Sequence, residues 1–284
     1  MKTVLLKKNF TKLLSVFLAF ALLVVTLVNP SSTVKAEGLD QLDGVEVLVN
    51  DENEIRLKTE IDGLVGILVQ DQETKEITLT TYEADEINPN PYSINSLTSN
   101  DNVDQFALSL DDFTDETGAI LTYEDEATGK TATVGSDDSE IRPMVVWLAP
   151  LVTIVGAKLI EALLLTAAVI VINEIDFART DAIANDLRNK SYNHYYAKIV
   201  QGDVWIGPAI TETYAAIRLT SFNGDEDVSG NDVWSKTLSG AARVAERAGG
   251  GKDPVGPEIH GPGLGFGYYY HYHTWNRVGG HSFF

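Results

Sequence analysis

Apolar and polar residues alternate along residues 41–82 and again along 105–134, with the period of two that half-buried β-strands show. Turn-type pairs such as Asp62-Gly63 separate the alternating segments, and no helical period stands out between them. This pattern predicts a small antiparallel all-β sheet or sandwich. The predicted strands are 45–49, 54–61, 64–69, 76–82, 105–110, 119–123 and 130–134.

The alternation ends before residue 144, because almost every residue from 144 to 172 is apolar. Lys158 and Glu161 interrupt this run, and its uninterrupted part, 162–172, is shorter than the roughly twenty residues that a membrane-spanning helix needs. A charged residue at the bilayer centre would also cost about 3 kcal/mol. We therefore expect a buried apolar helical segment over 141–173. Membrane contact by 144–172, with pore formation, is the alternative.

The pattern after residue 173 mixes both periods, which predicts a C-terminal α+β module over 174–284. Four elements are expected there: a helix over 174–189, a hairpin over 195–206, a helix opened by Pro208, and a helix that Asn231 or Asp232 caps and Gly249 ends. The chain as a whole is thus predicted to be α+β, with the all-β part first.

Charge divides the chain in the same places. Residues 37–140 carry twenty-seven acidic against four basic side chains, whereas 141–284 are close to neutral and hold all five histidines. The polar stretch 135–140 is the predicted boundary between this acidic leader domain and the rest. Cysteine is absent, which excludes a disulfide framework and thiolate chemistry.

Residues 1–36 have the organisation of a secretory signal peptide. Four early lysines form a basic region, residues 13–28 are apolar, and Val34-Lys35-Ala36 places small residues where a signal peptidase cleaves. The mature chain would then begin at Glu37. We therefore expect a secreted protein, either extracellular or attached to the cell surface.

Four of the five histidines lie in the last twenty-five residues, beside an arginine and after a glycine-rich loop. Alternation along 268–273 would point the two imidazoles at 271 and 273 to the same face of a strand, about 6–7 Å apart. No acidic residue follows them, so a carboxylate must come from Glu258 or from outside the tail. The candidate site residues are His260, His271, His273, Arg277 and His281.

These residues allow three interpretations. In the first, histidines act as general base and acid while Arg277 holds a phosphate, as in a metal-independent ribonuclease acting on a nucleic-acid substrate without a cofactor. In the second, His271 and His273 bind zinc with His281 or His260. In the third, the imidazoles are hydrogen-bonded parts of an aromatic strand. We favour the first interpretation.

The ending Tyr270-His271-Tyr272-His273, then Arg277 and His281-Ser282-Phe283-Phe284, resembles the short His/Arg endings of polymorphic-toxin C-terminal modules. The layout of signal peptide, acidic β-rich leader, apolar helix and C-terminal module resembles a family of secreted toxins from Gram-positive bacteria. This resemblance implies a toxin with its effector at the C-terminus and a cognate immunity protein. It does not specify the activity, so a non-catalytic cell-surface binding module is a further alternative.

The signal peptide gives a direct prediction. Protein recovered from a culture supernatant should begin at about Glu37, because the small residues at 34 and 36 direct cleavage there. N-terminal sequencing measures this. A secreted protein that still begins at Met1, or a protein found only inside the cell, would contradict the prediction.

Overall fold

The computed structural model describes residues 44–85, 103–114, 118–135, 147–220, 231–259 and 269–284. Within these ranges the chain forms two β-sheets and four helices, and Ala36–Phe284 form one compact unit. The predicted signal peptide, most of the predicted linker (136–140) and His260 lie outside the described residues.

Fifteen strands and four helices follow one another along the described parts of the chain. The strands are β1 (Val45–Asn50), β2 (Glu54–Ile61), β3 (Leu64–Asp71), β4 (Ile77–Glu83), β5 (Asp104–Thr114), β6 (Gly118–Asp125), β7 (Thr131–Gly135), β8 (Val169–Ile172), β9 (Ile175–Arg179), β10 (His194–Val200), β11 (Asp203–Ile210), β12 (Val233–Ser235), β13 (Val255–Glu258), β14 (His271–His273) and β15 (Ser282–Phe283). The helices are α1 (Pro150–Thr166), α2 (Thr180–Leu187), α3 (Glu212–Thr220) and α4 (Leu238–Ala248).

Strands β1 to β7 form the first sheet, in which every pair is antiparallel and the spatial order is the chain order. All seven strands predicted from the alternation are present, and the predicted α+β class with an antiparallel N-terminal sheet is confirmed. The hairpin between β2 and β3 turns at Asp62-Gly63, where φ is 49° and 85°. Positive φ at both turn positions gives the twist that a two-residue hairpin needs.

Helix α1 lies across β2 and β3 and covers one face of the first sheet. Two glycines permit the close approach. A Cβ on Gly66 would lie 2.2 Å from Cγ1 of Val155, and a Cβ on Gly156 would lie 2.4 Å from the hydroxyl oxygen of Tyr123. The helix is therefore a core element, as expected for the apolar segment. No helix among the described residues is long and apolar enough to cross a bilayer.

The second sheet has eight strands in the order β13-β14-β15-β12-β10-β11-β9-β8. Among the residues that the structure describes, its only parallel pair is β12 with β15. Successive side chains of β12 point to opposite faces of the sheet. Val233 packs with buried residues of α3 and α4, whereas Trp234 packs with Leu187 of α2. Helices α3 and α4 therefore cover one face of this sheet, and α2 covers part of the other.

Three predictions for the C-terminal half are wrong. The expected helix over 174–189 begins only at Thr180, because Asn173 and Glu174 adopt positive φ and turn β8 back into β9. Pro208 lies inside β11 and opens no helix. The residues that follow Asp232 form β12, and Thr237 caps α4 instead, accepting a hydrogen bond from the backbone N–H of Gly240.

The expected apolar helix also ends earlier than its hydrophobic run. Helix α1 stops at Thr166, and Val169–Ile172 form β8 at the edge of the second sheet. Consecutive β-branched residues prefer the extended backbone, where their side chains crowd the chain less than in a helix.

One hydrophobic core joins the two sheets. The core that includes Leu159 of α1 continues through Ile170 of β8 to Trp205 of β11. Polar links cross the same junction, because Asn173 donates its N–H to the carbonyl of Leu110 at 2.9 Å and Lys198 pairs with Asp112. The independence of 37–140 and 174–284 as separate domains stays a prediction.

The core position of α1 predicts a large loss of stability on truncation. Leu159→Ala should lower the free energy of unfolding by about 2–5 kcal/mol, since Leu159 is fully buried and leaves a cavity. Ile154→Ala on the same helix is the matched control, because Ile154 is 54% exposed and should cost at most about 0.5 kcal/mol. Denaturant titration measures both. Equal losses would contradict the packing of α1 described above.

Candidate functional site

The candidate site lies at one edge of the second sheet, where β14 pairs with both β13 and β15. His271 and His273 are the first and last residues of β14, and His281 directly precedes β15. The chain returns between them through a turn in which Arg277 donates its N–H to the carbonyl of Thr274 at 2.9 Å. This antiparallel return places His281 beside the two histidines of β14.

The three imidazole rings form a compact triangle. Their centroids are 5.0 Å apart between His271 and His273, 4.8 Å between His271 and His281, and 4.8 Å between His273 and His281. One ligand nitrogen from each ring can be chosen so that all three lie within 4.8 Å of one another. As the alternation predicts, His271 and His273 share a face, while Tyr272 packs with the α3–α4 side.

Hydrogen bonds determine the tautomers of two of the rings. Nδ1 of His271 lies 3.2 Å from the carbonyl oxygen of Tyr269, and Nδ1 of His281 lies 2.9 Å from Oδ1 of Asp232. A carbonyl or a carboxylate can only accept, so each Nδ1 carries the proton. In the neutral rings the lone pair is then on Nε2, which is the arrangement that a metal ligand or a general base requires.

The pKa of His281 is raised. Burial alone would lower it, but the hydrogen bond and the negative charge of Asp232, together with the charge of Glu258, outweigh that effect. Asp232 is 1% exposed, and its Oδ1 also accepts the backbone N–H of His281 at 2.6 Å. Gly280 permits this contact, because a Cβ there would lie 2.9 Å from the same oxygen.

His273 has the opposite environment. Its pKa is lowered to about 4, first by burial and then by the neighbouring His281, His271 and Arg277, against a weaker opposing effect of Glu258. The residue is 8% exposed, and neither of its ring nitrogens has a hydrogen-bond partner among the described residues. Buried polar atoms in native proteins usually have a partner, so this pair of nitrogens calls for an explanation.

Arg277 and Glu258 form an ion pair at the rim of the triangle. Both guanidinium NH groups of Arg277 donate to the carboxylate, one of them to Oε2 at 3.0 Å. This hydrogen bonding lowers the pKa of Glu258, whose Oε2 lies 4.0 Å from Nε2 of His273. Among the described contacts, Glu258 therefore engages two of the five N–H donors of Arg277.

Three of the five sequence-predicted site residues converge here, and Arg277 borders them. His260 lies outside the described residues. Asp232 was missed as a site residue, because the sequence assigned it to a helix cap and the parallel pairing of β12 with β15 brings it to His281 from forty-nine positions away. Glu258 is one of the carboxylate sources that the sequence predicts.

The remaining histidine belongs to another cluster. Nδ1 of His194 lies 2.9 Å from Oγ of Ser235, and its Nε2 lies 3.5 Å from Oε2 of Glu212. Ser235 is fully buried, so this serine cannot meet a substrate. The cluster joins β10 and β12 to α3.

Comparisons with known proteins give no further assignment: a scan against protein-family models, a search of curated proteins and a search of solved structures each found no match.

The opposite pKa shifts of His273 and His281 predict opposite effects on stability. With His273 at about 4 in the folded chain and 6.5 when unfolded, the unfolded chain binds the extra proton between these pH values. The contribution of His273 to the free energy of unfolding is therefore fully present above pH 6.5. It falls by roughly 3 kcal/mol as the pH drops towards 4. His281, with its raised pKa, stabilises below pH 6.5 and loses that contribution as pH rises through its folded pKa.

Denaturant titrations from pH 4 to 8 with a chelator present would measure these effects. The difference in unfolding free energy between wild type and His273→Gln should grow with pH between 4 and 6.5. The difference for His281→Gln should instead be largest at low pH and shrink above 6.5. Differences that change in the same direction for both variants would contradict the shifts.

Proposed function

We propose that the C-terminal module binds a divalent transition-metal ion, namely zinc, through His271, His273 and His281. The observation that carries this proposal is the burial of His273 between two other imidazoles with no hydrogen bond to either ring nitrogen among the described residues. A metal ion would give that ring a partner. An uncompensated buried imidazole would instead destabilise the fold.

The spacing of the nitrogens supports the same centre. Zinc–nitrogen bonds of about 2.0–2.1 Å in a tetrahedral site place two ligand nitrogens about 3.4 Å apart. The nitrogens here lie within 4.8 Å of one another, so small side-chain rotations would bring them to that spacing. Three protein ligands leave the fourth position for water or substrate, which is the arrangement of catalytic zinc.

The second layer of residues supports it too. Metal-binding histidines commonly donate their other ring N–H to a carboxylate or to a backbone carbonyl. His281 does the first with Asp232, and His271 does the second with the carbonyl of Tyr269. The acid–base interpretation needs one imidazole as general base and another as general acid, whereas a metal ion would engage all three rings.

The biological role that we propose for this centre is that of an effector in an exported toxin. It rests on the resemblance of the tail and of the overall layout to secreted toxins, and on the predicted signal peptide. The metal-independent nuclease favoured from sequence is the competing mechanism, and the same experiment distinguishes it.

Metal analysis tests the proposal directly. The mature chain, purified and equilibrated with zinc, should hold one ion per chain by mass spectrometry, and a chelator should remove it and lower the melting temperature. Asp232→Asn should weaken zinc affinity by about 10–100-fold, because it removes only the charge behind His281. His273→Gln removes a ligand and should weaken it more.

His194→Gln is the matched control, since His194 is equally buried but lies outside the triangle. It should keep the full zinc content even if its melting temperature falls. A wild-type chain that holds no zinc, or variants whose zinc affinity equals that of wild type, would refute the metal centre. Nucleic-acid cleavage that persists in chelator would favour the metal-independent mechanism.

A further inference from the structure

The Glu258–Arg277 ion pair borders the histidine triangle, with Oε2 of Glu258 lying 4.0 Å from Nε2 of His273. We propose that the centre hydrolyses phosphodiesters, with Glu258 accepting a proton from the water in the fourth coordination position and Arg277 binding the substrate phosphate. The inference rests on the proposed metal centre and adds the substrate class and the proton acceptor.

Glu258 is close to the triangle without being part of it. Its Oε2 lies 4.0 Å from Nε2 of His273, yet the carboxylate is absent from the group whose ligand atoms lie within 4.8 Å of one another. At that distance a carboxylate is better placed to accept a hydrogen bond from a water in the fourth position than to bind the metal itself. Hydrogen-bond reach through one water is the geometric requirement for a general base.

Arg277 keeps the carboxylate in that place. Its two NH groups hold both oxygens of Glu258, and its own backbone is fixed by the turn closed by Thr274. Thr274 is 1% exposed, and its hydroxyl donates to the carbonyl of Val278 at 2.8 Å. A carboxylate held in this way cannot easily swing onto the metal, and it still has lone pairs for a proton.

Arg277 also presents N–H donors to solvent. The side chain of Arg277 is 51% exposed, and a guanidinium has five N–H donors, of which Glu258 takes only two among the described contacts. The same turn presents Trp275, with Nζ of Lys252 lying 3.5 Å from its ring centroid. A bound divalent metal favours an anionic substrate, and a guanidinium suits the pairs of oxygens on a phosphate.

The proposed step balances without a further reactant. Glu258 takes one proton from the water, the water oxygen forms a bond to phosphorus, and the bond from phosphorus to the leaving oxygen breaks. The leaving oxygen takes the proton back from Glu258, which gives a phosphomonoester and an alcohol. Neither oxidation nor reduction occurs.

The experiment uses the mature full-length chain loaded with zinc and the diester bis(4-nitrophenyl) phosphate. Wild type should hydrolyse it, and Glu258→Gln should lower kcat by about 10²–10⁴-fold while the zinc content and melting temperature stay unchanged. Glu83→Gln is the matched control, because Glu83 is an exposed glutamate on β4 of the first sheet, and it should keep the wild-type rate. Arg277→Lys should raise KM more than it lowers kcat, since a lysine cannot bind phosphate by two NH groups.

Each other result has a defined meaning. Zinc-loaded wild type that leaves the diester intact overturns the proposed reaction while the metal centre stands. Loss of zinc in Glu258→Gln makes Glu258 a ligand, and that also overturns its role as proton acceptor. Faster turnover of the neutral ester 4-nitrophenyl acetate than of the diester overturns the substrate class. Absence of zinc from wild type removes the metal centre and this inference together.

Discussion

The contact between Asp232 and His281 is the interaction on which the candidate site depends. One buried carboxylate oxygen accepts both the backbone N–H and the ring N–H of His281, and so fixes the position and the tautomer of that imidazole. The contact exists because β15 runs parallel to β12 and begins one residue after His281. Without it, the third ring would have no reason to face His271 and His273, and the triangle would reduce to two neighbours on a strand.

Local patterns predicted most of the first sheet because its strands are adjacent in sequence and alternate cleanly. The second sheet was harder. Asn173-Glu174 turns a hairpin through positive φ without the glycine that usually signals such a turn, and the strand after it was mistaken for helix. The apolar positions around Trp234 fit the period of a helix as well as that of a strand. Only the pairing of β12 with β10 and β15 decides between the two. Short strands in the middle of a sheet draw their stability from distant partners, which local propensity does not report.

The same distinction explains what the sequence revealed of the site. The shared face of His271 and His273 follows from the period of a strand. Glu258 lies thirteen positions before His271, and the antiparallel pairing of β13 with β14 brings the two residues together. Asp232 is separated from His281 by forty-nine positions, so no spacing rule could connect them. The engagement of Arg277 with Glu258 was equally hidden, because a lone arginine near histidines suits phosphate binding until its actual partner is known.

The distribution of acidic residues gives a physical reason why the site lies at this edge of the second sheet. The formal charge of the chain is −20, and most of the acidic side chains belong to residues 37–140, which would repel an anionic substrate. The first sheet meets the second around β8 and at Lys198 of β10. Strand β14 lies three strands from β10, which is roughly 14 Å at the usual strand spacing. Salt at physiological concentration screens charges beyond about 8 Å. The acidic sheet therefore acts weakly on the triangle, and the charges that act on its histidines are those of Asp232, Glu258 and Arg277. A metal adds two positive charges at the point where a phosphate must be held, which the neutral Glu258–Arg277 pair cannot supply by itself.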